Sequence, residues 1–144
     1  MTALLVVDIQ EEFVTSDILN NVVDYINNSQ YDSLIFTVFE NTKDSNFVKL
    51  LNYTDCMKTK PLIESDNLYK KSTYGISSSL IDKLKMYSQV DVIGTDIDAC
   101  VMAICYQLFD AGINFRIITK YCYGILKDEA IKIMERNFGK AVVK

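Results

Sequence analysis

Hydrophobic positions along the chain alternate between short continuous runs and longer stretches of helical spacing. Ala3–Val7 is apolar at every position and stops at Asp8, the pattern of a strand covered on both faces. Ile18, Leu19, Val22, Val23 and Ile26 then form a helical stripe, with Ser16 or Asp17 as its cap and Asn27-Asn28-Ser29 as its close. Ser33–Phe39 reads as a second strand, and Phe47, Leu50 and Leu51 as a short helix after Asp44-Ser45. Residues 53–66 are irregular and hold the only proline, Pro61; Asn67–Lys70 fits a short third strand. Leu80, Ile81 and Leu84 mark a helix that starts near Ser77–Ser79. Val90–Gly94 is the next strand, and Val101, Ile104, Cys105, Leu108, Phe109 and Ala111 follow at helical spacing up to Gly112. Asn114–Thr119 predicts a further strand. Ile125, Ala130, Ile131, Met134 and Phe138 predict a last helix closed by Gly139, and Ala141-Val142-Val143 a final strand.

Strands that alternate with helices predict an α/β domain with a mostly parallel sheet of about six strands and helices on both faces, a three-layer Rossmann-like arrangement. The 144 residues, with 49% apolar, suit one domain over residues 1–144 with a core of its own. No G-x-G-x-x-G follows the first strand, so a dinucleotide site is not supported. A net charge of −4, with no Lys/Arg run beyond a pair, argues against nucleic acid as a partner. No stretch is long enough to span a membrane, and Ala3–Val7 is too short for a signal-peptide core, so a cytoplasmic protein is expected.

In these sheets ligands collect at the C-terminal ends of the strands. Asp8 ends the first strand, Lys70 and Lys71 the third, and Cys100 follows the fourth, so these side chains can converge although they are distant in sequence. Cys100 falls in the first turn of a helix, where unpaired N–H groups carry partial positive charge. A lowered thiol pKa is expected there, with amides available for an oxyanion. Of the other cysteines, Cys105 falls among buried helix positions, and Cys122 is placed in a turn beside Tyr121 and Tyr123, at the mouth of the site or at a subunit contact. The four cysteines form no C-x-x-C pair, and the chain has no histidine. Cys-His and Ser-His catalysis and His-ligated metal are therefore excluded; a base for Cys100 must be a carboxylate, a lysine or water.

Three segments in order carry a resemblance. Residues 3–13, Ala-Leu-Leu-Val-Val-Asp-Ile-Gln-Glu-Glu-Phe, resemble the opening of the isochorismatase-like cysteine hydrolases: a hydrophobic strand, Asp-x-Gln and a nearby Phe. Tyr69-Lys70-Lys71-Ser72-Thr73-Tyr74-Gly75 is similar to their lysine segment, and Gly94–Val101 to their Gly-x-x-x-Asp-x-Cys-Val turn. Phe36–Asn41 also looks like their second strand. The resemblance implies a catalytic triad of Asp8, Lys71 and Cys100, Lys71 being preferred to Lys70 because it sets Tyr74 and Gly75 at the family's offsets. It implies an oxyanion hole of the Asp96 and Cys100 amides, with a cis peptide at Thr95–Asp96. Phe13 and Tyr74 are the expected substrate contacts, while Phe39 is read as core.

The implied activity is hydrolysis of a C–N bond in a small amide, ureido or related substrate through a thioester, without cofactor or metal. The Asp-x-His and further His residues that hold metal in nicotinamidases are missing, which makes nicotinamide a poor substrate guess, and Ile97 stands where Thr is more usual. The resemblance also implies a homo-oligomer, a dimer or higher. The alternative from another class is a catalytically silent member that serves as an oligomeric scaffold or binding protein.

Overall fold

The computed structural model describes residues 1–54 and 61–144. Five parallel strands, β1 (Thr2–Val7), β2 (Ser33–Phe39), β3 (Leu68–Lys71), β4 (Gln89–Thr95) and β5 (Phe115–Tyr123), lie in the order β3-β2-β1-β4-β5. The helices are α1 (Ser16–Asn28), α2 (Asn46–Leu51), α3 (Ser78–Leu84), α4 (Met102–Asp110) and α5 (Lys127–Phe138). The expected α/β architecture is present, with one strand fewer than expected. Val143, in the stretch expected as a final strand, forms only an isolated bridge to Ile117.

The period-two alternation of strand side chains divides the core between the two faces. Ala3, Leu5, Val7, Val90 and Val92 meet α3, α4 and α5 on one side. Leu4, Val6, Phe36 and Ile93 meet Leu19, Val22 and Ile26 of α1 on the other. Strands buried on both faces need apolar residues throughout, which is why β1 reads as an unbroken run.

Several boundaries differ from the sequence pattern. Thr15, not Ser16 or Asp17, caps α1, its Oγ1 accepting from the Ile18 N–H at 3.4 Å. The last helix starts at Lys127, and Ile125, counted in its stripe, lies almost wholly in solvent. Cys122 is not in a turn: β5 runs on to Tyr123, and Cys122 is sealed beneath it with its thiol toward the Val92 carbonyl. It is therefore at neither the site mouth nor a surface. Part of the stretch read as irregular, with Cys56, lies outside the described residues. No helix among the described residues is long and apolar enough to cross a membrane.

Candidate active site

The chain runs β1, β2, β3 outward on one side of β1, then crosses to β4 and β5 on the other. Strand order reverses between β1 and β4, and a crevice opens at their C-terminal ends. Gly94 makes close passage possible there: its φ is +129°, and a Cβ would stand 2.1 Å from the Val7 carbonyl oxygen. Beyond it the Thr95–Asp96 peptide is cis, at the position the resemblance implies.

Asp8 is buried at the end of β1 with a positive φ of 51°. Thr37 of β2 fixes it: the Thr37 hydroxyl donates to Asp8 Oδ1 at 2.7 Å and accepts the Asp8 N–H at 3.2 Å. Lys71 comes in from β3, its ammonium 2.7 Å from Asp8 Oδ2 and 3.3 Å from Cys100 Sγ. The same Nζ donates to the carbonyls of Thr73 at 2.9 Å and Tyr74 at 3.4 Å, and it lies 5.3 Å from the centre of the Phe39 ring. Alternation along β3 sends Lys70 the opposite way, to a largely solvated ion pair with Glu40. The two adjacent lysines are thus separated by burial.

Cys100 sits in a π-helical turn, Ile97–Val101, that leads into α4. The Asp96 carbonyl accepts from Ala99 at 3.0 Å and Val101 at 3.1 Å, and it skips the N–H of Cys100. Such one-turn widenings of a helix are frequent at functional sites. The expected low thiol pKa is overturned. Burial and then the Asp8 carboxylate push the Cys100 thiol up to about 12, against the downward pull of Lys71. A helix start does not hold a thiolate here; the resting group is a thiol that needs a base beside it.

A cavity opens over the sulfur, lined by Asp8, Thr95, Asp96, Ala99 and Cys100 together with Phe13, Phe39, Phe47, Tyr53 and Tyr74. Phe13 and Tyr74, expected at the site, are in this wall. Phe39 is buried as core and also forms the back of the cavity, with Phe13 and Phe47 against its ring at 6.3 and 4.8 Å between centres. Sequence reasoning missed Thr37, Phe47 and Tyr53. A hydroxyl inside the apolar run Leu34–Phe39 was a usable signal for Thr37. Tyr53 carried none, because it follows α2 at the start of an irregular segment. Gln10 was seen only as part of a motif; buried, its side chain accepts from the Phe39 N–H at 2.7 Å and donates to the Phe39 carbonyl at 3.0 Å, pinning the end of β1 to the end of β2.

No family model matches the chain, and no curated protein matches it in sequence. Solved structures do match its fold. The N-carbamoylsarcosine amidase of Thermoplasma acidophilum superposes with a TM-score of 0.76 at 16% identity, over 99% of this chain and 95% of its own. The pyrazinamidase/nicotinamidase of Streptococcus mutans gives 0.73 at 15% identity, over 100% of both chains. An isochorismatase-like hydrolase of Alkaliphilus metalliredigens gives 0.69 at 12% identity, over 94% of this chain and 90% of its own. The chain has the isochorismatase-like hydrolase fold.

Proposed function

We propose that the protein is a cysteine-dependent hydrolase of the isochorismatase-like group that cleaves the C–N bond of a small amide or ureido substrate. The observation that carries this reading is the placement of one buried ammonium between a carboxylate and a thiol that both line a cavity, Lys71 Nζ being 2.7 Å from Asp8 Oδ2 and 3.3 Å from Cys100 Sγ. The similarity in fold to an N-carbamoylsarcosine amidase and to nicotinamidases adds support.

A thiol with a pKa of about 12 is protonated at neutral pH, so attack requires proton removal in the same step. Asp8, whose charge bears on that thiol, takes the proton as sulfur adds to the substrate carbonyl carbon. Lys71 offsets the negative charge that passes between oxygen and sulfur. The Asp96 and Cys100 amides receive the oxyanion. Collapse breaks the C–N bond, the amine leaves with the proton from Asp8, and a thioester remains. Water, deprotonated by Asp8, then adds to the thioester carbon; the C–S bond breaks, and the acid and the free thiol are released.

An ammonia-release screen over small amides and ureides, with Cys100→Ala as control, tests this. Release that is abolished in the variant supports it. Release that survives Cys100→Ala overturns it, and no release from any compound favours the silent-scaffold alternative.

A further inference from the structure

The cavity walls combine aromatic rings with charged side chains. Five aromatic rings, those of Phe13, Phe39, Phe47, Tyr53 and Tyr74, face the space above Cys100. Aromatic faces carry negative electrostatic potential and attract cations. Among the described residues, the one buried cation beside the site is committed elsewhere. Lys71 Nζ is matched by Asp8 at 2.7 Å and donates to the Thr73 carbonyl at 2.9 Å and to Cys100 at 3.3 Å, leaving it no proton for a ligand anion.

Among the described lining residues, Asp96 is the uncompensated charge. It is exposed at the cavity wall, and it accepts the Thr95 hydroxyl at 2.5 Å but forms no ion pair among the described residues. The Tyr53 phenol is raised by burial first, then by Tyr74 and by the Asp96 charge, which puts that carboxylate's field across the cavity.

We infer that this cavity takes a small amide without negative charge, preferring one that carries a positive charge on the end remote from the amide, and that it rejects the carboxylate analogue. This rests on the hydrolase reading for the orientation of the amide toward Cys100. The positive end would lie among the rings and against Asp96.

Three para-substituted benzamides of similar shape test it with the full chain: one bearing a trimethylammoniomethyl group, one a hydroxymethyl group and one a carboxylate. The expected kcat/KM for the cation exceeds that for the carboxylate by at least about tenfold, and Asp96→Asn narrows the ratio. A carboxylate processed as well as the cation overturns the inference. If none is hydrolysed, the same compounds are compared as protectants of Cys100 against iodoacetamide. Stronger protection by the cation then sustains the charge preference while the hydrolase reading fails. Equal, reversed or absent protection overturns the charge preference itself.

Discussion

Gln107 of α4 holds the backbone of Ile76 at both ends: its Oε1 accepts the Ile76 N–H at 2.8 Å, and its Nε2 donates to the Ile76 carbonyl at 2.9 Å. The helix that carries this glutamine continues from the turn that carries Cys100. The segment it grips follows Thr73 and Tyr74, whose carbonyls receive the Lys71 ammonium. Gly75 leaves the room, since a Cβ there would lie 2.4 Å from Gln107 Oε1. The thiol and the loop that aims its ammonium are therefore joined by a side chain outside the cavity.

Gln107→Ala is expected to leave both Ile76 groups without a partner and to cost about 1–3 kcal/mol in a urea melt. If the clamp also positions Lys71, kcat falls more than KM rises, and the pH profile of Cys100 alkylation moves to higher pH. Gln107→Glu keeps only the acceptor and should lie between the variant and the wild type on all three measures. A purely structural clamp would lower stability and leave the alkylation profile in place.

The layered fold was legible because burial on both faces forces β1 and β4 to be apolar throughout, and because α1 and α4 repeat at helical spacing. Asp8, Lys71 and Cys100 were legible because parallel strands deliver their C-terminal residues to one edge. What failed lies where tertiary contacts override local pattern. Cys122 follows polar Thr119 and Lys120, which read as the end of a strand, yet β5 resumes pairing with β4 at Cys122↔Gly94 after an irregularity. The Cys100 thiol was assigned a low pKa from its helix position, and the depth of the site and the charge of Asp8 reverse that sign. The Gln107 clamp joins residues 31 apart in sequence and leaves no periodicity to read.

Asp8 and Lys71 act on the same thiol in opposite directions, the carboxylate raising its pKa and the ammonium lowering it. Asp8→Asn should therefore increase the rate of Cys100 alkylation by iodoacetamide near pH 8, although hydrolysis is lost with the base. Lys71→Met should slow alkylation at the same pH, and hydrolysis is lost as well. Alkylation followed by mass spectrometry reads both. Two variants that both abolish turnover but move thiol reactivity in opposite directions separate a proton acceptor from a charge stabiliser. Movement in the same direction would reject this division of roles.

Burial gives the protein an alkaline weakness. Cys122 is pushed up to about 12 by burial, Cys100 to about 12 by burial and Asp8, and Cys105 is raised by burial. In the unfolded chain these thiols ionise near 9. Above that pH the unfolded state has lost protons that the folded state keeps, so unfolding becomes more favourable as pH rises. Each such thiol contributes a slope of about 1.4 kcal/mol per pH unit until its folded pKa is reached. Urea midpoints should fall steeply between pH 9 and about 12, and Cys105→Ala should flatten that fall while lowering stability at pH 7. A midpoint independent of pH across this window would contradict the burial seen for these groups.

Asp91 and Arg116 form an ion pair on the α1 face of the sheet, and its two halves are unequal. Asp91 is buried in β4, and it accepts from Arg116 Nε at 2.8 Å and Nη2 at 2.6 Å and from the Tyr31 hydroxyl at 2.7 Å. The Arg116 side chain is 45% exposed, against 1% for Asp91. Removing the arginine strands a carboxylate in the interior; removing the carboxylate leaves a guanidinium that water already reaches. Arg116→Ala should therefore cost about 3 kcal/mol, the low end for breaking a buried pair because solvent follows the trimmed side chain. Asp91→Asn should cost about 1 kcal/mol, since an amide still accepts from Arg116 and can donate to Tyr31, which keeps its bond to Tyr25. The double variant decides between two accounts. If the penalty lies in the uncompensated charge, adding Asp91→Asn to Arg116→Ala restores most of the loss, and urea melts place the double variant above Arg116→Ala alone. If the penalty lies in lost attraction, the second substitution restores nothing.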